Sequence, residues 1–493
     1  MKKLILFSVI ALMGLTASAQ HKHIHIYHNS TAFTTHKLDK VEEMNFYSTS
    51  WGDDADQLSI ALKDGSYDKV DINDVSKTVI GTNVPVIYVN LTDYPDLTDL
   101  MKDSQHTKSF VYAATLSMDG NGFFDDIPET EVEFRGRGNS TWNMPKTPYR
   151  FKLPKKQSVC GLPKAKTFAL IANFIDCSLM RNTIALKTAN MLEMPFSNHC
   201  VPVAVYLNGH YKGAYMLTEK IGVGVGGGSV DIDENEGILF EFDSNYDEDF
   251  RFRYYWTPSG SWSQKTLPVM VKDPDLTEIA AADPTGATTA NDIFSNWKAD
   301  ITTMLDAVTS RSSKESLSDV LDLESVANFL IVNNLACNRE LQHPKSFYMY
   351  KEALGTEHVY HFGPVWDFDW AFTFDGYEGQ SATRLLFEKD GDTAGATFFQ
   401  CICKNEEFRA LYKQKWENFK ENLYPELLQY LEEYANHIEP SAVQNGTIWT
   451  GYTGGYYKTE STYNFRDKYA TLIKWLNERV EFISNDANFG LYK

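Results

Sequence analysis

Apolar and polar positions alternate in short runs at the start of the chain. "HKHIHIYHNS", "VEEMNFYS", "QLSIALKDGS" and "KVDINDV" each place apolar residues at every second position between turn formers, the pattern of half-buried hairpin strands. A small β-rich module over residues 20–84 follows, with a linker near "IGTNVP". The elements then lengthen. "VPVIYVNL" and "SFVYAATLSM" read as strands, and "DCSLMRNTIALKTANML" has helical periodicity, with Ile184, Leu186, Ala189 and Leu192 close to one face. "VPVAVYLNGHYKGAYMLTEKI" is a strand pair turned by Asn208-Gly209. The glycine run at 223–228 is a loop, because no helix start or Lys-Ser/Thr follows it. "SLSDVLDLESVANFLIVNNLA" predicts an amphipathic helix, and "KSFYMYKE" with "HVYHFGPVWDFDW" a second hairpin. Residues 405–490 are helical, with Trp416, Phe419 and Leu428 in the core. No internal repeat interrupts this order.

Composition narrows the classes. At 493 residues and 43% hydrophobic, the chain can fill two or three structural units. A net charge of −20 argues against a nucleic-acid partner, which requires clustered Lys and Arg. The first 19 residues, ending Ala17-Ser18-Ala19 before Gln20, read as a secretory signal. No later run approaches the ~20 apolar residues of a membrane helix. Export to the periplasm or cell surface is therefore expected. Cysteines 160, 177, 200, 337, 401 and 403 form no CxxC pair and are expected to be mostly buried and free. His21, His23, His25 and His28 read as a solvated strand edge, since no second ligand cluster follows.

Two stretches carry candidate chemistry. In "GPVWDFDWAF", Asp367 and Asp369 would share one face of an extended segment, with Trp366, Phe368 and Trp370 on the other. Such a pair either caps backbone N–H groups at a strand end or holds a hard cation such as Mg²⁺ or Mn²⁺. In "RGRGNSTW", Arg135, Arg137 and Asn139 sit among glycines that let backbone N–H groups approach an anion; the alternative is a tight turn with solvent-facing arginines. Arg150 and Lys152 lie on one side of the strand that follows, with Phe151 opposite.

"FRGRGNSTWNMPKTPYRFKL", "DCSLMRNTIALK", "VAVYLNGHYKGAYMLTEKI", "NRELQHPKSFYMYK" and "GPVWDFDWAF", in this order, resemble the CotH family of atypical protein kinases over roughly residues 86–490. The leading module lies outside the resemblance and, with the signal, resembles exported proteins of Bacteroides-type bacteria. The resemblance implies an α+β, kinase-like two-lobed domain over 86–493 with a helical C-terminal part, binding ATP with Mg²⁺ or Mn²⁺. In it, Lys152 would contact the phosphates, with Arg150 second. Arg135, Arg137, Asn139 and Lys146 would join the nucleotide site, Glu219 would lie near the hinge, and Arg181 and Asn182 would brace the site. Asp367 and Asp369 would hold metal, Asp367 also counting as catalytic.

Two positions depart from the family pattern. Glu340 stands where many members have Asp as base, and Ser346 where an Asn would ligate metal, with Asn338 available to compensate. The implied activity is phosphoryl transfer to a protein Ser or Thr hydroxyl. The rival expectation is a catalytically silent surface protein that binds a partner protein or glycan. A weaker third is a hydrolase using Asp367 and Glu340.

Overall fold

The computed structural model describes residues 23–28, 33–37, 40–49, 55–80, 84–121, 123–224, 230–282, 285–374, 381–388, 393–451 and 464–492. The expected signal at 1–19, His21 and most of the glycine run lie outside the described residues. The leading strands are β1 (His23–His28), β2 (Phe33–Lys37), β3 (Val41–Tyr47), β4 (Gln57–Leu62), β5 (Tyr67–Asp71) and β6 (Val75–Ile80). They form two three-stranded sheets ordered β2-β1-β6 and β3-β4-β5. Alternation decides what they bury: Ile24, Ile26, Leu58 and Ile60 meet in a core of their own.

Seven strands then close into a barrel. They are β7 (Val86–Leu91), β8 (Tyr112–Asp119), β9 (Ile127–Gly136), β10 (Tyr149–Gln157), β11 (Ala165–Ile171), β12 (Val201–Leu207) and β13 (His210–Glu219). Their closed order is β10-β11-β13-β12-β7-β8-β9, with the β12–β7 seam parallel. Phe134, Phe151, Phe168 and Leu217 fill the interior. Asn208 and Gly209 both take positive φ, +47° and +77°, as a two-residue hairpin turn requires. Because Tyr149 and Phe151 point inward, Arg150 and Lys152 stand on the outer wall.

A second sheet, ordered β15-β16-β14-β17-β18, comprises β14 (Ile238–Phe242), β15 (Arg251–Trp256), β16 (Lys265–Asp273), β17 (Phe347–Lys351) and β18 (His361–Phe362). The sequence reading predicted only its last hairpin. Strand β14 is buried at every position and β16 at most of them, so neither shows the alternation that marks a half-exposed strand. Helices Gly286–Ser310, Leu323–Ala336, Ala394–Cys403, Glu406–Asn418, Tyr424–Trp449 and Phe465–Asn485 pack around this sheet. The result is a mixed α and β architecture.

Two helices differ from expectation. Helix Arg181–Met191 begins five residues after Asp176, whose carboxylate accepts from Ser178 N (2.9 Å) and Arg181 N (2.8 Å) and so forms the turn before it. It is buried on nearly all sides, between the barrel wall (Ala169, Met216) and the helical body. Helix Leu323–Ala336 is capped by Asp322 and buried at every position except Glu324. An amphipathic face was expected there, but helices and sheet cover it all round. Trp416 and Phe419 pack in the core, as predicted, with Leu428 against it. All six cysteines are free thiols. Among the described residues no helix is long and apolar enough to cross a membrane.

Candidate functional site

The outer wall of the barrel roofs a cavity of 340 Å³ whose floor belongs to the second sheet and its loops. In the roof, Arg135 on β9 lies directly opposite Arg150 on β10, and both side chains reach the cavity. The chain leaves β9 through Gly136, where a Cβ would fall 1.9 Å from the Trp142 ring, so that ring closes down on bare backbone. Gly138 then takes φ +84°, a conformation that favours glycine. The turn carries Arg137 over the ring of Trp366, 5.3 Å from its centre, and returns into β10 with Arg137 N donating to Pro148 O at 3.1 Å. Asn139 lines the rim and accepts from Lys108.

The floor is built by residues 338–346 and 363–370. Asn338 caps the short turn Arg339–Gln342, accepting from Glu340 N at 3.3 Å and donating to Asn333 Oδ1 at 3.1 Å and to Asp367 O at 3.4 Å. Asp367 itself has φ +62°. The run 363–370 is therefore not an extended strand, and the expected separation of faces fails: Trp366 and Trp370 line the cavity beside both carboxylates, and only Phe368 turns fully away. Left-handed backbone at a non-glycine residue costs of order 1–3 kcal/mol and persists where the surroundings impose it. Asn182 supplies that constraint: its Nδ2 donates to Asp369 Oδ1 at 2.7 Å while its Oδ1 accepts from Phe368 N at 3.0 Å. Arg181 donates to Asp369 O at 2.8 Å.

Charge is concentrated here. Eight Lys or Arg and seven Asp or Glu line the cavity, so charge there is close to balanced in a chain of net charge −20. Burial, and then the charge of Asp367, push the Asp369 carboxyl up, against the opposing effect of Asn182 and Arg181. Glu340 is pushed up by burial and by Asp367, with Lys345, 3.3 Å away, opposing. Burial alone would lower Lys345, but Glu340 and Asp367 hold it above its ordinary value. Burial lowers Arg137, offset by Asp367. Glu241, on β14, is raised to about 7, chiefly by burial.

The structure brings Arg135, Arg137, Asn139, Lys146 and Arg150 together in the roof, and Glu340, Ser346, Asp367 and Asp369 in the floor. Lys152, the residue chosen for phosphate contact, does not line the cavity: it is exposed and pairs with Glu133 at 3.6 Å, and the β10–β11 register shifts just beyond it. Lys146 is buried as a clamp, donating to Asn445 Oδ1 (2.9 Å) and Ala214 O. Glu219 is held by His199 at 2.6 Å outside the cavity lining, and Arg181 and Asn338 act from behind the carboxylate segment. Sequence reasoning missed Lys345, Lys220, Glu241 and Asp243. The signal for the last two was "FEFD" at 240–243, acids alternating with phenylalanine as in "WDFDW".

Among the described residues no group of three or more His, Cys, Asp or Glu is set to hold a metal. Two carboxylates, one buried beside the other, still suit Mg²⁺ or Mn²⁺, which complete their shells with phosphate and water oxygens. The cavity thus sets an arginine roof over paired carboxylates. The family model for CotH kinase proteins matches residues 134–483, most of the chain, and the chain belongs to that family. The match begins inside the barrel, whose first strand starts at Val86. No curated protein matches the chain.

Proposed function

We propose that this protein is an exported, metal-dependent phosphotransferase that moves a phosphoryl group from ATP to a protein Ser or Thr hydroxyl. The observation that carries this reading is the opposition, across one cavity, of Arg137 and the Gly138 turn to Asp367 and Asp369. In a kinase-like division the barrel is the small lobe, and the second sheet with its helices the large one. Asp367 and Asp369 would hold Mg²⁺ or Mn²⁺, which neutralises charge on the phosphate oxygens. Arg137 and the backbone N–H groups of the turn would orient the transferred end. Glu340, raised and half-buried, is suited to take the acceptor's proton. The hydroxyl oxygen bonds to the γ-phosphorus, the bond to the bridging oxygen breaks, the proton passes to Glu340, and nucleoside diphosphate leaves. The apolar leader at 1–19 supports placement in the periplasm or at the cell surface.

The test is transfer of labelled phosphate from MnATP to a Ser/Thr-rich protein acceptor. Parent activity with loss of at least ~10²-fold in E340Q is expected, the lower range for a general base. Absence of transfer by a parent that still binds MnATP would favour a silent binding protein instead.

A further inference from the structure

The arginines of the roof are more numerous than one phosphoryl group needs. Arg135 and Arg150 are direct cross-strand neighbours, an arrangement that like charges destabilise. The same register continues through Ala169 on β11 to Thr218 on β13, and Lys220 follows two residues later. With strands ~4.8 Å apart, this row crosses the roof over roughly 14 Å. Between the charges, the small Ala169 lines the cavity and Thr218 is buried. Arg135, Arg150 and Lys220 make no ion pair or hydrogen bond with any described residue, although all three line the cavity. Arg137 instead senses Asp367 and Asp369.

We propose that Arg135, Arg150 and Lys220 form a second anion subsite, so that the cavity takes a polyphosphate chain lengthwise, free or carried on a nucleoside, with its far phosphates on this row. This rests on the reading above, which places the transferred end at Arg137 and the paired carboxylates. Repulsion at Arg150 supports it: Arg150 is lowered to about 10, chiefly by burial and then by Arg135 and Arg137, with Glu133 opposing. Lys220 is lowered by burial and then by Arg150, with Asp273 opposing. A row held apart in this way is relieved by an anion.

Calorimetric titration with inorganic tripolyphosphate, a longer linear polyphosphate and ATP, each with Mn²⁺, tests it. The longer chain should bind the parent roughly tenfold more tightly than tripolyphosphate, the equivalent of one further charge-assisted contact. R150M and K220M should bring the longer chain down to the tripolyphosphate level. The thermal midpoint of ligand-free R150M should hold or rise, since a repulsion is removed; a folding arginine would give a fall. Equal affinity of the parent for both chains, or parallel loss of both in R150M, would overturn the second subsite. The D367N/D369N double variant separates the two claims. If it keeps both the length preference and its full Mn²⁺-dependent binding, the subsite stands and the phosphotransferase reading falls.

Discussion

Asn182 holds the carboxylate segment at two points, beside the ties from Arg181 and Asn338. Its amide satisfies Asp369 on one side and the Phe368 N–H on the other, all of them buried. N182A leaves both without that partner, and a loss of roughly 1–3 kcal/mol is expected by urea denaturation. A cost near zero would mean that the loop holds itself. Glu241 sets a pH dependence at the same scale. Its folded value of about 7 lies above the ordinary 4.5, so the folded state keeps a proton that the unfolded chain has lost. Its stabilising contribution is complete below about pH 4.5 and disappears as pH rises through 7. Urea midpoints of the ligand-free protein should fall from pH 5 to 7.5, and E241Q should flatten that slope. The residue types of the site were legible in sequence, because acids spaced among aromatics are rarely placed without reason. The left-handed turn at Asp367 and the cation at Lys345 were not, since both depend on what the loop packs against.

At the scale of elements, the best-read pieces are those whose instructions are local. Asn208-Gly209 specifies its turn by itself, and Asp322 specifies a helix start by accepting from Glu324 N and Ser325 N. D322A should therefore cost ~1 kcal/mol, and D322N much less, in thermal denaturation at neutral pH. Asp322 also sits 2.9 Å from His361, and that hydrogen bond, with the cap, holds its carboxyl below the ordinary value. This contribution is present at neutral pH and is lost as pH falls below about 4. What the pattern did not reveal is how elements are covered. Helix Leu323–Ala336 was expected to keep a polar face, and strand β14 was not recognised, because total burial erases the periodicity that marks either one.

The whole molecule depends on contacts between segments far apart in sequence. The barrel closes through a parallel β12–β7 pairing, which hairpin signals do not announce. It is fastened to the helical body where Asn445, on helix Tyr424–Trp449, accepts from Lys146 Nζ and from Ala214 N (3.1 Å). Gly213 permits this approach: a Cβ there would fall 2.4 Å from Asn445 Oδ1. Lys146 is thus read as the fastening that fixes roof over floor. N445A should orphan the buried Ala214 N–H, at roughly 1–3 kcal/mol, and leave Lys146 Nζ with Ala214 O alone. Hydrogen exchange should then show faster opening of β13 and the helix together. Protection unchanged in both would mean that apolar packing alone joins the two bodies.

The central claim is that Asp367 and Asp369 hold a metal against a phosphate anion beneath the arginine roof. The most direct measurement is the thermal midpoint of the parent and of the D367N/D369N variant, with and without MnATP. Ligand at a hundredfold excess over its dissociation constant stabilises the native state by about 2.7 kcal/mol. The account predicts a clear rise in the parent and none in a normally folded variant. No rise in the parent, or an equal rise in both, would contradict it.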